Sequence, residues 1–400
     1  MYTIIRKMTY SSRLFENLQS IFFIIFFSFN FLNREFANIF LILLIFVTLI
    51  DYKRLYLALI YNQQLVLSII LFSVWISLVA YYHQAPLSEM DNYFRFLLLL
   101  PLILVSMKEK TFIIMIYISA ALATLNIIYS YTFLEFERYE GSSSSIITYA
   151  YMCTTMMLIC IFYITLKRVR SPLMIISASI FFVLVMLTAT RGALIAAMIG
   201  YLYIIVLAIS KKRNYYSFRT LITSFLTLAL VFFLIPNQMY ERFSVLNKSG
   251  LSNIENFASI DGEVHNRSLR DRIFYIKYGL DNLRNNVHLG LGPHNIKQNM
   301  SQHILRTEAK LITVTDHLHN DFLDISVKFG VYSLILLLLI YFFLLKLKKQ
   351  EGYEVLSLVL IVLISSQMLQ SQFAHHQAIS FFLALCYLFT DERAADKKNF

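Results

Sequence analysis

Apolar runs of about the length of a membrane crossing, parted by short polar breaks, fill the chain from near residue 17 to 236 and resume from 329 to 390. At about 20 residues per crossing, the pattern predicts about twelve spanning helices. They fall at about 17 to 32, 36 to 50, 64 to 82, 92 to 107, 111 to 134, 146 to 166, 171 to 190, 192 to 209, 220 to 236, 329 to 345, 353 to 369 and 376 to 390. The stretch between 237 and 328 breaks this pattern and reads as one loop of about 90 residues. Within it, Ser268 and Asp271 have the spacing of a capping box, and Ile273, Ile276, Leu280 and Leu283 recur at helical intervals. An amphipathic helix over 269–284 is therefore expected. Its apolar stripe has no partner of similar hydrophobicity in the loop, so the helix should lie on the bilayer or on the spanning bundle.

Composition narrows the class. With 58% hydrophobic and 15% charged residues over 400 positions and a mean hydropathy of +0.63, the chain is too apolar for a soluble globule. The expected fold is an all-α polytopic membrane protein: a membrane domain over 1–236, a loop over 237–328, and a second membrane portion with a tail over 329–400. Basic residues fix the orientation, because short cytoplasmic loops collect Lys and Arg. A cytoplasmic N-terminus puts most of them inside and leaves few, such as Arg34 and Arg138, on short outer segments, so residues 237–328 face the exported side. The net charge of +11 then reflects topology and anionic lipid, not nucleic acid binding. The first apolar stretch lacks a small-residue cleavage site and reads as an uncleaved anchor. Cys153, Cys160 and Cys386 fall in predicted spans, which points to neither a disulfide framework nor a zinc site.

Four features could carry chemistry. Arg191, between Thr190 and Gly192 at an exported hinge, is either a snorkelling anchor or a ligand for a lipid phosphate. Arg270 and Arg272 stand in the first turn of the amphipathic helix, where the macrodipole disfavours cations, so an anion should compensate them. On a helical wheel Arg272 borders the apolar stripe and Arg270 points further toward water, which favours Arg272 as the phosphate ligand. His319 opens the helix that follows the loop, with Thr315 or Asp316 as cap. The positive helix start favours a neutral imidazole able to act as a general base. His317, two residues earlier, should project from another side. The turn Leu289–Gly290–Leu291–Gly292–Pro293 is glycine-permitted but lacks the frame of a nucleotide loop, and no Walker pattern exists. His375 and His376 read as interfacial, and the pair Glu89 and Asp91 lacks a third acidic ligand, so no metal site is expected. Arg95 is the clear candidate for a charge at membrane depth.

Together these residues carry a resemblance. The step Thr190–Arg191–Gly192–Ala193, the arginine-led helix with its glycine turn, and His319–Asn320 followed by nine residues and Gly330 resemble the O-antigen ligase and polymerase superfamily of bacterial envelopes. Ser268–Leu269 leading to Arg272, and His317 to Asp321, look most like the lipopolysaccharide O-antigen ligase. The resemblance implies a multi-pass enzyme of the bacterial inner membrane with its active site facing the periplasm. It further implies an inverting, metal-independent glycosyl transfer without cofactor. The donor would be an undecaprenyl-pyrophosphate-linked O-polysaccharide and the acceptor a sugar hydroxyl of the lipid A core oligosaccharide. Arg191 and Arg272, with Arg270 as rival, would hold the pyrophosphate. His319 would deprotonate or orient the acceptor, supported by Asn320 and His317, and Arg95 would stand near the donor phosphates. Ser333 departs from the family pattern, where Gly, Thr or Tyr is commoner. The rival readings are an O-antigen polymerase and a lipid-linked oligosaccharide flippase.

Overall fold

A computed structural model of the chain describes residues 2–133, 145–169, 171–188, 190–210, 267–306, 312–346 and 353–389. Every regular element among the described residues is helical. In chain order they are α1 (Tyr2–Phe29), α2 (Arg34–Ile50), α3 (Tyr52–Tyr61), α4 (Gln63–Tyr82), α5 (Asp91–Leu98), α6 (Glu109–Phe133), α7 (Ile146–Thr165), α8 (Pro172–Leu187) and α9 (Arg191–Ser210). The later part holds α10 (Arg267–Asn285), α11 (Ile296–Arg306), α12 (Asp321–Phe329), α13 (Val331–Lys346), α14 (Tyr353–Leu369) and α15 (His376–Leu388).

Among the described residues α4, α6, α7 and α9 are long and apolar enough to cross a bilayer. A fifth crossing forms if α2 and α3, bent by 89° at Asp51, count as one span. The apolar part of α1, with α8, α13, α14 and α15, is shorter. This makes the chain a multi-pass, all-helical membrane protein. The predicted stretch at 220 to 236 lies outside the described residues, as do residues 237 to 266. The stretch at 92 to 107 is not one helix: α5 ends at Leu98 and a tight turn runs over Leu100–Leu104. Pro101 explains the break, since it lacks the N–H and its ring clashes with the preceding turn. Much of the broken segment is nonetheless buried, and the Tyr387 hydroxyl donates to the Phe96 carbonyl at 3.0 Å.

α7 is the inner post of the bundle. It is enclosed by α8, α9, α14 and α15, and its Thr148, Thr154 and Thr155 are fully buried with its apolar residues. Helices in lipid gain nothing from hiding apolar surface, so small and polar residues favour the inside. α4 and α9 are more apolar than α7, yet much more of each faces outward.

α10 covers the expected 269–284, and the side it buries is aromatic, leaving most of the aliphatic stripe outward. Tyr275 and Tyr278 go inward, onto Ile296, Met300, Leu318 and Val327, while Ile273, Ile276 and Leu280 remain exposed. The loop thus supplies a partner for the aromatic side of α10. Part of it is α11, unforeseen in sequence, whose Ile296, Met300 and Ile304 repeat every four residues. Two long aromatic side chains with hydroxyls to place outweigh the aliphatic stripe. Tyr275 donates to the Thr313 carbonyl at 2.8 Å and Tyr278 to Asn299 Oδ1 at 3.2 Å.

The glycine turn docks on the end of α12. Leu291 and Gly292 donate to the carbonyls of Val327 and Lys328 at 2.7 and 3.0 Å, and Val331 donates to Val287 at 2.8 Å. Gly330 sits at φ +79°, and a Cβ there would run into the His288 carbonyl. Only glycine meets both demands. From the other side Trp75 Nε1 of α4 donates to the Phe329 carbonyl at 2.8 Å, so α12 is clamped at its C-terminal end.

Candidate functional site

The tetrad His317–Leu318–His319–Asn320 lies just before α12, not inside it. Asn320 is the N-cap: its Oδ1 accepts from Leu323 N at 3.0 Å and its Nδ2 donates to the Met368 carbonyl at 3.1 Å. The cap expected at Thr315 or Asp316 is thus displaced, because an Asn with extended backbone reaches the free amides of the first turn directly. Thr315 and Asp316 serve His317 instead. Asp316 Oδ1 lies 2.6 Å and Thr315 Oγ1 3.2 Å from His317 Nδ1, and this contact holds the Asp316 carboxyl well below its usual range.

His319 takes a left-handed backbone, φ +54°. Such conformations are uncommon outside glycine and cluster at functional sites. The turn brings its ring to Tyr275 of α10, stacked at 5.5 Å, and to His317, edge-on at 4.6 Å. His317 and His319 therefore meet, contrary to the expectation that they diverge. His319 Nδ1 lies 3.0 Å from Gln370 Oε1. A carbonyl oxygen only accepts, so Nδ1 carries the proton and Nε2 keeps its lone pair. Burial, reinforced by the His317 and Arg272 charges, lowers the His319 pKa below the ordinary imidazole value.

Two buried carboxylates at the start of α12 hold this assembly. Asp324 Oδ1 accepts from Leu318 N at 3.0 Å, inside the tetrad, and Asp324 Oδ2 lies 2.8 Å from Lys328 Nζ. Burial opposes the Lys328 charge, but Asp324 outweighs it and raises the ammonium pKa. Asp321, fully buried, reaches across to the turn between α14 and α15, accepting from Gln372 N at 2.9 Å and Phe373 N at 3.2 Å. Burial and the Asp324 charge push its carboxyl up, while the two amides pull it back. That turn carries Gln370 to His319 and sets His375 beside both tetrad imidazoles. Burial, with the neighbouring His317, His376 and His319, pushes His375 down to about 4.

The arginines divide unequally. Arg272 acts electrostatically on His319 and on Tyr151 of α7, and it forms no ion pair with the described residues. Arg270 does not point to water: its side chain is 17% exposed and lies 3.8 Å from Asp271. Asp271 in turn accepts from Thr313 at 3.1 Å, which draws the N-terminal part of α10 toward the chain before the tetrad. Arg191 is the first residue of α9. The following residue, Gly192, packs against the Tyr151 hydroxyl and the Leu369 Cβ, one residue from Gln370. The backbone beside Arg191 thus lies near Tyr151 and the residue before Gln370, and Arg272 acts on both Tyr151 and His319. Arg95 belongs to an adjoining group, bonded to Ser380 at 2.7 Å and Asp91 at 3.0 Å and acting with Arg34 on His376.

Sequence reasoning missed Gln370, Tyr151, Asp321 and Asp324. A signal for the first existed: Gln367, Gln370 and Gln372 interrupt an apolar hairpin, and polar groups at that depth are costly and kept for use. Nothing in the local pattern marks Tyr151.

An all-helical, multi-pass membrane protein with imidazoles and cations gathered where α9, α10, α12 and the α14–α15 turn meet is the class that fold and site define. A family model described as O-antigen ligase matches residues 176–338, so that segment is similar to the O-antigen ligase family. The segment contains Arg191, Arg272 and His319 but neither Tyr151 nor Gln370. No curated protein matches the chain.

Proposed function

We propose that this protein is a ligase that transfers a polysaccharide from undecaprenyl pyrophosphate to a sugar hydroxyl of the lipid A core, at the periplasmic face of the inner membrane. The family's members are membrane enzymes that transfer glycans. The observation that carries the reading is His319: Nδ1 engaged by Gln370, Nε2 left as an acceptor, and the Arg272 charge alongside.

In the proposed reaction the acceptor hydroxyl oxygen attacks the anomeric carbon of the donor, and its proton passes to His319 Nε2. The bond between that carbon and the phosphate oxygen breaks, and the electron pair leaves with the pyrophosphate. A single displacement inverts the anomeric centre. The leaving group gains negative charge as the bond breaks, and fixed cations in a site poor in water stabilise such charge strongly. Arg272 and Arg191 take that role, with Arg270 holding Asp271 and the start of α10 in place. Asn320 supports His319 indirectly, by fixing the start of α12. The distribution of basic residues supports a periplasmic site.

The test is reconstitution of the full chain in nanodiscs with a lipid-pyrophosphate-linked glycan and a core oligosaccharide acceptor. Glycan joined to the core is the expected product. Glycan joined instead to a second lipid-linked glycan would make the protein a polymerase. In cells, loss of a ligase leaves long polymer on the carrier and bare core, whereas loss of a polymerase leaves core capped by one repeat.

A further inference from the structure

Tyr151, in the second turn of α7, plays no part in the reaction just described. Its side chain is fully buried, and its hydroxyl has no hydrogen-bond partner among the described residues. Buried hydroxyls are seldom left unmatched, and each exception calls for a reason. Three features surround this one. A Cβ at residue 192 would overlap the hydroxyl, so glycine is what lets the start of α9 approach it. The start of α9, a helix of 20 residues, reaches the same place at Gly192, and the positive end of its dipole favours an anion there. The Arg272 guanidinium acts on the phenol from α10.

We propose that Tyr151 is a further ligand of the donor's diphosphate, its hydroxyl donating a hydrogen bond to a non-bridging phosphate oxygen beside Arg272 and the start of α9. This rests on the reading of the site as one that binds a lipid-linked diphosphate. A neutral donor suits a position this deep, because an ammonium or guanidinium held there without its anion would cost far more to bury. The hydroxyl is closed to solvent, so entry of the phosphate requires the elements around it to part locally.

The experiment uses the full chain in nanodiscs, with inorganic pyrophosphate as a competing probe in the transfer assay. Tyr151→Phe keeps the ring and removes only the donor. Inhibition by pyrophosphate should weaken about tenfold and kcat/KM for the glycan donor should fall about 10- to 100-fold, with KM for the acceptor unchanged. Gly192→Ala, which pushes the hydroxyl aside while leaving the tyrosine in place, should weaken pyrophosphate inhibition in the same direction. A purely structural role for Tyr151 would lower the thermal midpoint and leave inhibition as in the parent protein, and that result overturns the proposal. If Arg272→Ala weakens inhibition and Tyr151→Phe does not, Tyr151 alone is overturned. If neither does, the diphosphate reading itself fails and the role of Tyr151 falls with it.

Discussion

The two sides of the site differ in how far their polar groups are already satisfied. On the imidazole side, His317, His319, Asn320, Asp321 and Asp324 all have partners within 3.4 Å, drawn from α12, the chain before it and the α14–α15 region. On the cation side, Arg272 has no ion pair among the described residues and the Tyr151 hydroxyl has no hydrogen bond there. A completed network holds its geometry before any substrate arrives, which is what a proton acceptor needs. Unmatched donors instead suit an anion that comes and goes. The contrast separates positioning from binding, and substitutions on the two sides should read out differently.

The largest effect is expected from His319→Ala, which should lower kcat by about 10²- to 10⁴-fold in the reconstituted assay while the protein still folds. Full turnover by this variant removes His319 from the chemistry. Arg272→Ala, on the opposite side, should cost about 10²- to 10³-fold, since it removes a fixed charge from the departing diphosphate. If its whole effect lay in acceptor KM, the division between the two sides would be wrong.

Asp321→Ala probes support rather than chemistry. It leaves the Gln372 and Phe373 amides buried without an acceptor, so stability should drop by about 2–4 kcal/mol, read as a lower thermal midpoint. Asp321→Asn keeps an acceptor oxygen and should cost less. Gln370→Leu frees the His319 ring to change tautomer and should reduce kcat about tenfold with KM for the donor little changed, the worth of one hydrogen bond.

The smallest effect is that of pH. His319 and His375 both titrate below the ordinary imidazole value, His375 at about 4. Between the unfolded value near 6.5 and the folded one, the unfolded chain binds more protons than the folded chain, so stability falls as pH is lowered through that range. The thermal midpoint should decline from pH 6.5 toward 4, and His375→Gln should flatten the decline. Turnover should persist below pH 6.5, because His319 is still neutral there; a midpoint of the acidic limb at or above 6.5 would contradict the buried environment of that ring.

Much of this protein is written locally in its sequence. Apolar runs of span length locate the helices of the bundle, and apolar residues recurring at three- and four-residue intervals locate α10, although it begins at Arg267, ahead of the Ser268 that the capping pattern marks. Arg191 and His319 stand out because each lies at a break between elements, and Arg272 because it borders the apolar stripe of α10. Other features were legible but misjudged. Pro101 sits inside an apolar run and breaks it, and the aromatic side of α10 that turns inward went unread beside the more regular aliphatic stripe.

Tertiary structure alone decided which helix stands in the middle and which distant residues complete the site. α7 is less apolar than α9 yet far more enclosed, since in lipid an apolar helix gains little by being inside. Hydropathy therefore ranks helices for insertion and says nothing of their order in the bundle. Asp321 finds its amides 51 and 52 residues away, and His319 its glutamine 51 away. Tyr151 lies against Gly192 of one helix and within the field of Arg272 of another. Periodicity and capping are set by neighbours within a turn or two, whereas these meetings depend on how whole helices pack, which no local pattern records.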